Sequence, residues 1–276
     1  MLLLVLVGSL AGVASGTPRC CPRSMAYLPK PTHVCIDRFE ASVVDLRTAL
    51  PASPNYNPNH TEALWQFRRF VNMTVAAHPM PPRMAEFTRG ARFQPRAMSD
   101  ANATPQAYVD RVNADWACRN AGKRLCRHSE WKTACRGPQN TTYPYGDRYE
   151  PGRCNDGVPY WPPGMIGRSN NWQMLDPRIA VLTYPNSSVP LRRPTGAFTR
   201  CTNAFGVFDQ VGNMDEIVAD EPRPGFMTFV GGFYARNGAD GASLTCENAI
   251  TGHAVWYNDY SIGFRCCREP TAMCDA

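Results

Sequence analysis

Twelve cysteines are the side chains of this 276-residue chain best equipped for chemistry, and their placement decides which chemistry. Thiols can bind soft metals, attack carbonyls or pair as disulfides. They run from Cys20 to Cys274 without any Cys-x2-Cys pair, too scattered for a compact metal cluster. So many thiols do not suit a reducing compartment, and disulfides formed after export are expected. The adjacent pairs Cys20-Cys21 and Cys266-Cys267 do not readily close on themselves, so each pair is expected to serve two different partners. The five histidines, His33, His60, His78, His128 and His253, show no His-x3-His spacing and read as surface or loop residues rather than ligands.

The elements that must position these residues are short. With 43% hydrophobic and 19% charged residues the chain can bury a sizeable core, while 25 prolines and 21 glycines predict a loop-rich architecture. The apolar run from Met1 to Gly16, ending in Ala14-Ser15-Gly16, reads as a secretory signal peptide, although it lacks a basic start. Residues 17–34 follow as an N-terminal segment and 35–276 as a single domain. No linker or repeat divides it, and no membrane insertion of the mature chain is expected. The net charge is +6, but the arginines are dispersed and Lys123 to Arg127 is the single dense basic stretch, so nucleic acid is not an expected partner.

A strand is expected over Thr32–Ala41 and a short helix over Thr61–Phe70. A longer helix over Gln106–Ala121 is predicted from Thr104 as cap, Pro105 at its first position, and Tyr108, Val109, Val112, Trp116 and Ala117 as an inward stripe ending at Gly122. Ser129–Cys135 predicts a second helix with Trp131 and Ala134 inward. Short strands are expected at Val207–Gln210, Ile217–Ala219, Phe226–Gly231 and Phe264–Cys267.

Several ordered blocks carry a resemblance: Asn120-Ala-Gly-Lys-Arg-Leu125, Glu130-Trp131, Ala134-Cys-Arg-Gly137, Tyr143-Pro-Tyr-Gly146, Val211-Gly-Asn-Met-Asp-Glu216, Val230-Gly-Gly-Phe-Tyr234 and Ile262-Gly-Phe-Arg-Cys266. Together they resemble the formylglycine-generating-enzyme family, the sulfatase-modifying-factor domain. The resemblance spans about Cys35 to Cys267 and is clearest from Asn113 onward. It implies an α+β fold, distantly similar to C-type lectins, with few helices, short strands and multiple disulfides. It also implies the pairs Cys118–Cys266 and Cys135–Cys246, leaving Cys20, Cys21, Cys35, Cys126, Cys154, Cys201, Cys267 and Cys274 unassigned.

For metals, the resemblance implies a structural calcium held by Asp209, the carbonyls of Gly212 and Met214, and Glu216, oxygen donors suited to a hard cation. Asp215 stands where the family usually has Trp. A second family calcium site maps to Asn155 and the Asp156 carbonyl, where ordinary turn chemistry is the simpler reading. The family's oxidases bind copper through two cysteines just after the Gly-Gly-x-Tyr turn. Here Arg236 and Gly241 occupy those positions and offer no soft ligand, so copper is not expected. Phe233 likewise replaces a serine frequent in the catalytic members.

The resemblance further implies a groove for an extended peptide, lined here by Arg236, Asn237, Asp240, Trp256, Tyr257 and Tyr260. Arg265 is expected to be structural, holding a buried carboxylate or carbonyls bidentately. The resulting expectation is a secreted or periplasmic, calcium-stabilised, noncatalytic binding or accessory module. Its partner would be a peptide or protein segment, with carbohydrate as a lesser possibility. The alternative is an oxidoreductase of the same family, converting a substrate cysteine to formylglycine or running a related oxygen-dependent reaction.

Overall fold

A computed structural model describes residues 20–70, 93–167, 174–235 and 244–271. The first half contains β1 (Met25–Leu28), β2 (Val34–Asp37), β3 (Ser42–Asp45), α1 (His60–Phe70), β4 (Pro95–Met98), α2 (Arg111–Asn120), β5 (Arg124–Leu125) and α3 (His128–Arg136). The second half adds the single turn α4 (Pro162–Met165), β6 (Asp215–Val218), β7 (Phe226–Val230), β8 (Ala249–Ala254), β9 (Ile262–Phe264) and β10 (Cys266–Arg268). This is the α+β, loop-rich architecture expected. The signal-peptide residues 1–16, Arg236, Asn237, Asp240, Gly241 and Cys274 lie outside the described residues.

Two four-stranded sheets organise the chain, in the orders β1-β2-β10-β5 and β8-β7-β6-β9, beside a β3-β4 pair. The N-terminal segment supplies β1, which pairs antiparallel with β2, so it is built into the first sheet. In the second sheet β6 runs parallel to β9 and antiparallel to β7. Side chains alternate between faces along a strand. Ile217, Met227 and Phe229 accordingly enter one core with Ala114, Ala117 and Cys118 of α2. Val218 and Val230 point the other way, into a second core with Trp131 and Ala134 of α3. Both faces of β6 are therefore covered, which explains its unbroken burial.

The helices depart from expectation in one instructive way. α2 begins at Arg111, not Gln106, because Asp110 is its cap and accepts from the Asn113 N–H at 2.9 Å. Residues before it serve other contacts. Gln106 donates its N–H to the Ala41 carbonyl, and Tyr108 adopts φ 54 with its N–H on the Asp259 carbonyl and its hydroxyl on the Asp176 carbonyl. Within the helix, Asn113, Ala114, Ala117 and Cys118 are the buried residues, while Val112 and Trp116 are exposed. Of the remaining expected elements, 207–210 forms only an isolated bridge, Thr202 to Phe208. The strand expected over Phe264–Cys267 is split between β9 and β10 at Arg265.

Five disulfides tie these parts together: Cys21–Cys35, Cys118–Cys266, Cys126–Cys267, Cys135–Cys246 and Cys154–Cys201. Cys20 is disulfide-bonded as well. The adjacent Cys266 and Cys267 point to opposite faces of β10, and each reaches a different partner. Cys118–Cys266 pins α2 to the closing strand, and Cys135–Cys246 pins α3 to the segment following the Gly231-Gly232 turn.

Candidate functional site

The motif residues converge on one buried knot. Arg265, the single residue between β9 and β10, donates from Nε to Glu216 Oε2 and from Nη2 to Glu216 Oε1, both at 2.5 Å. Its remaining donors reach the carbonyls of Asp37, Arg38 and Phe208. Trp131 Nε1 donates to Glu216 Oε2 at 2.8 Å, and Gln210 Nε2 donates to the Trp131 carbonyl at 2.9 Å. Three sequence blocks far apart in the chain are thus joined through one carboxylate. Next to it, Lys123 pairs with Asp37 at 2.6 Å, and Arg124 grips Glu130 with two bonds of 2.8 Å.

Around the Arg265 guanidinium stand two further acids. Glu40 is fully buried and takes the Asn213 amide at 2.6 Å through Oε2, while its Oε1 has no hydrogen-bond partner among the described residues. Burial, then the charges of Asp209 and Glu216, holds its pKa well above the ordinary glutamate range. Asp209 accepts from the Gly196 N–H at 2.6 Å, and burial pushes its pKa up to about 7. Glu216 has thus committed both oxygens to a guanidinium and an indole. A calcium ion would have to compete with that guanidinium for the same two oxygens, so the donor set expected for calcium does not fit a cation ligated by Glu216. Among the described residues, no group of three or more His, Cys, Asp or Glu side chains is placed to hold a metal ion.

The second expected calcium position is a packing joint. Asn155 Nδ2 donates to the Leu191 carbonyl and to Asn213 Oδ1, each at 2.9 Å, and its own carbonyl accepts from the Asn213 N–H. Gly212 is required here: its φ is +76°, and a Cβ would come within 2.2 Å of the Asn155 carbonyl oxygen. Asp156 sits beside Tyr149 with its pKa raised to about 6 by burial.

Away from the knot, a solvent-facing cleft of about 910 Å³ opens on the surface. α1 contributes Thr61, Glu62 and Trp65, the start of α2 contributes Val112 and Asn113, and Met174, Leu175, Trp256, Tyr257 and Asn258 close it. Trp65 is 40% exposed, Val112 60% and Trp256 72%, so large apolar surface faces water in one concave place. Tyr257 is fixed by stacking on His253 at 4.0 Å and by its hydroxyl bond to Asp259 at 2.7 Å.

Two of the six expected groove residues, Trp256 and Tyr257, therefore line this cleft. Tyr260 does not. It is buried with Tyr108 and Tyr234 in a third core, its ring 5.7 Å from Phe233. Arg236, Asn237 and Asp240 are outside the described residues. Trp65 and Val112 are not among the expected groove residues, and the sequence pattern places Val112 on the inward stripe of its helix, whereas it is exposed.

Residues 61–270 match the sulfatase-modifying factor enzyme 1-like domain family. The chain belongs to that family. A formylglycine-generating enzyme of Mycobacterium tuberculosis (strain ATCC 25618 / H37Rv) is 29% identical over 151 residues, which is 54% of this chain and 40% of that protein. The match thus spans less than half of that relative. Among solved structures, PvdO of Pseudomonas aeruginosa is similar with 17% identity and a TM-score of 0.41, over 86% of this chain and 80% of PvdO. CarF is similar with 13% identity and a TM-score of 0.44, over 86% of each chain. Membership of the family fits the buried knot, whose members Trp131, Glu216 and Arg265 all lie inside the matched residues.

Proposed function

We propose that this member of the family is an exported, noncatalytic binding or accessory module that takes an extended peptide or protein segment into the Trp65–Trp256 cleft. The observation that supports this reading is the cleft, in which exposed tryptophans stand beside Asn59 and Asn258. Tryptophan anchors supply much contact area at little entropy cost, and carboxamides match main-chain donors and acceptors. Stacked sugars use the same aromatic faces, so carbohydrate is the competing occupant.

The noncatalytic part rests on the thiols. The resemblance implies that Arg236 and Gly241 take the positions of the copper-binding cysteines, and eleven of the twelve cysteines are held in disulfides. A thiolate pair for Cu(I) could be drawn from these eleven only by opening a disulfide. The alternative, an oxidoreductase producing formylglycine, requires that opening. Export accords with the disulfides and with the apolar start of the chain, and among the described residues no helix is long and apolar enough to cross a membrane. In place of calcium, we assign the charge-balancing role in the knot to the Arg265 guanidinium.

The test is peptide selection from a display library on the intact protein, with a glycan array in parallel, followed by titration of the selected ligand into Trp65→Ala and Trp256→Ala. Each variant is expected to lose about tenfold or more in affinity with an unchanged melting temperature. Selected peptides that bind both variants as tightly as the parent would remove the cleft from the account.

A further inference from the structure

A second concavity, of about 510 Å³, has a different chemistry and no part in the proposal above. One wall is α3, which presents Ser129, Lys132, Thr133 and Arg136 at the i, i+3, i+4, i+7 spacing of a single helical face. The opposite wall is the β1–β2 turn, residues 29–32, including Lys30. Gly137, Pro138, Asn140 and Phe205 complete the lining. Three cationic side chains thus line the space, and one carboxylate, Glu247, pairs with two of them from outside the lining.

The cations are positioned. Glu247, outside the lining, holds Lys132 Nζ and accepts from Arg136 Nη2 at 2.7 Å. Arg136 Nη1 donates to Asn140 Oδ1 at 2.8 Å, which orients the guanidinium plane. Its Nε is buried and has no hydrogen-bond partner among the described residues.

We propose that this pocket binds an oxyanion ester: a phosphate or sulfate group carried on a compact organic body. Arginine and lysine donors suit tetrahedral oxyanions through charge-assisted hydrogen bonds, and the Ser129 hydroxyl adds a neutral donor. The volume exceeds what a bare ion needs and falls in the range of small-molecule sites, with Phe205 as an apolar face for the carrier.

The experiment is calorimetric titration of the full chain with phenyl phosphate, phenyl sulfate, inorganic phosphate and inorganic sulfate, at ionic strength held constant with sodium chloride. Saturable binding is expected, with an ester about fivefold or more tighter than its inorganic ion. Lys132→Gln should weaken the ester by about fivefold or more and Lys132→Arg should retain it, while Arg119→Gln, on the exposed face of α2, should change nothing. Should Arg136→Gln fail to fold, the Lys132 variants carry the test alone. A response no different from chloride, equal affinity for ester and ion, or parent affinity in Lys132→Gln would each overturn the assignment.

Discussion

Arg265 and Glu216 meet through two 2.5 Å hydrogen bonds although they lie 49 positions apart in sequence, and both side chains are buried. Removing one partner of a buried pair strands the other charge. Arg265→Met or Glu216→Gln is therefore expected to destabilise the fold by about 3–5 kcal/mol, read from chemical denaturation. A loss below about 1 kcal/mol, the scale of a surface pair, would show that the knot does not hold the two sheets together.

The Cys135–Cys246 bridge closes a span of 111 residues from α3 to the segment beyond the Gly231-Gly232 turn. Its removal as the double alanine variant should cost about 2–5 kcal/mol. Thermal unfolding of the variant beside the parent checks this, and an unchanged melting temperature would contradict it.

Glu40 gives the chain a dependence on pH. Its folded pKa is raised, so the folded chain holds a proton that the unfolded chain releases. Its contribution is fully present below the ordinary glutamate pKa and is lost as pH rises through the folded value. Glu40→Gln keeps an acceptor for Asn213 and removes the charge. The variant should match the parent in acid and become progressively more stable than it toward neutral and alkaline pH, as measured by melting temperature at several pH values.

Calcium removal should leave the protein unaffected, because Glu216 serves Arg265 and Trp131. Melting temperatures in chelator and in millimolar-range calcium are expected to coincide. A drop on chelation, restored by calcium, would return the 209–216 loop to the role first expected for it.

How far the sequence was legible depended on whether a residue's role was carried by a motif or by a surface. Trp131, Glu216 and Arg265 stood in recognisable blocks, and the structural role expected for Arg265 is the one the structure displays. The bridges Cys118–Cys266 and Cys135–Cys246 followed from the resemblance, whereas Cys126–Cys267 and Cys154–Cys201 did not, because each joins segments that spacing alone does not bring together. α2 starts later than its local signal predicts, because Thr104-Pro105 is a sound helix signal that tertiary hydrogen bonds of Gln106 and Tyr108 override. Val112 lies within both the expected and the observed helix, and packing of Ala114, Ala117 and Cys118 into the core is what turns it toward the cleft. Trp65 and Trp256 belong to segments 191 residues apart, and only folding places them on one concavity.

The central claim, binding without oxidation, is tested most directly by incubating the disulfide-intact protein with Cu(I), oxygen and a cysteine-containing peptide of the formylglycine type, followed by mass spectrometry of the peptide beside an active oxidase of the family. The account predicts that the peptide is recovered with its cysteine unconverted while the control oxidase produces aldehyde. Aldehyde formed by this chain would contradict it and would mean that one of its disulfides opens to provide the missing thiolates.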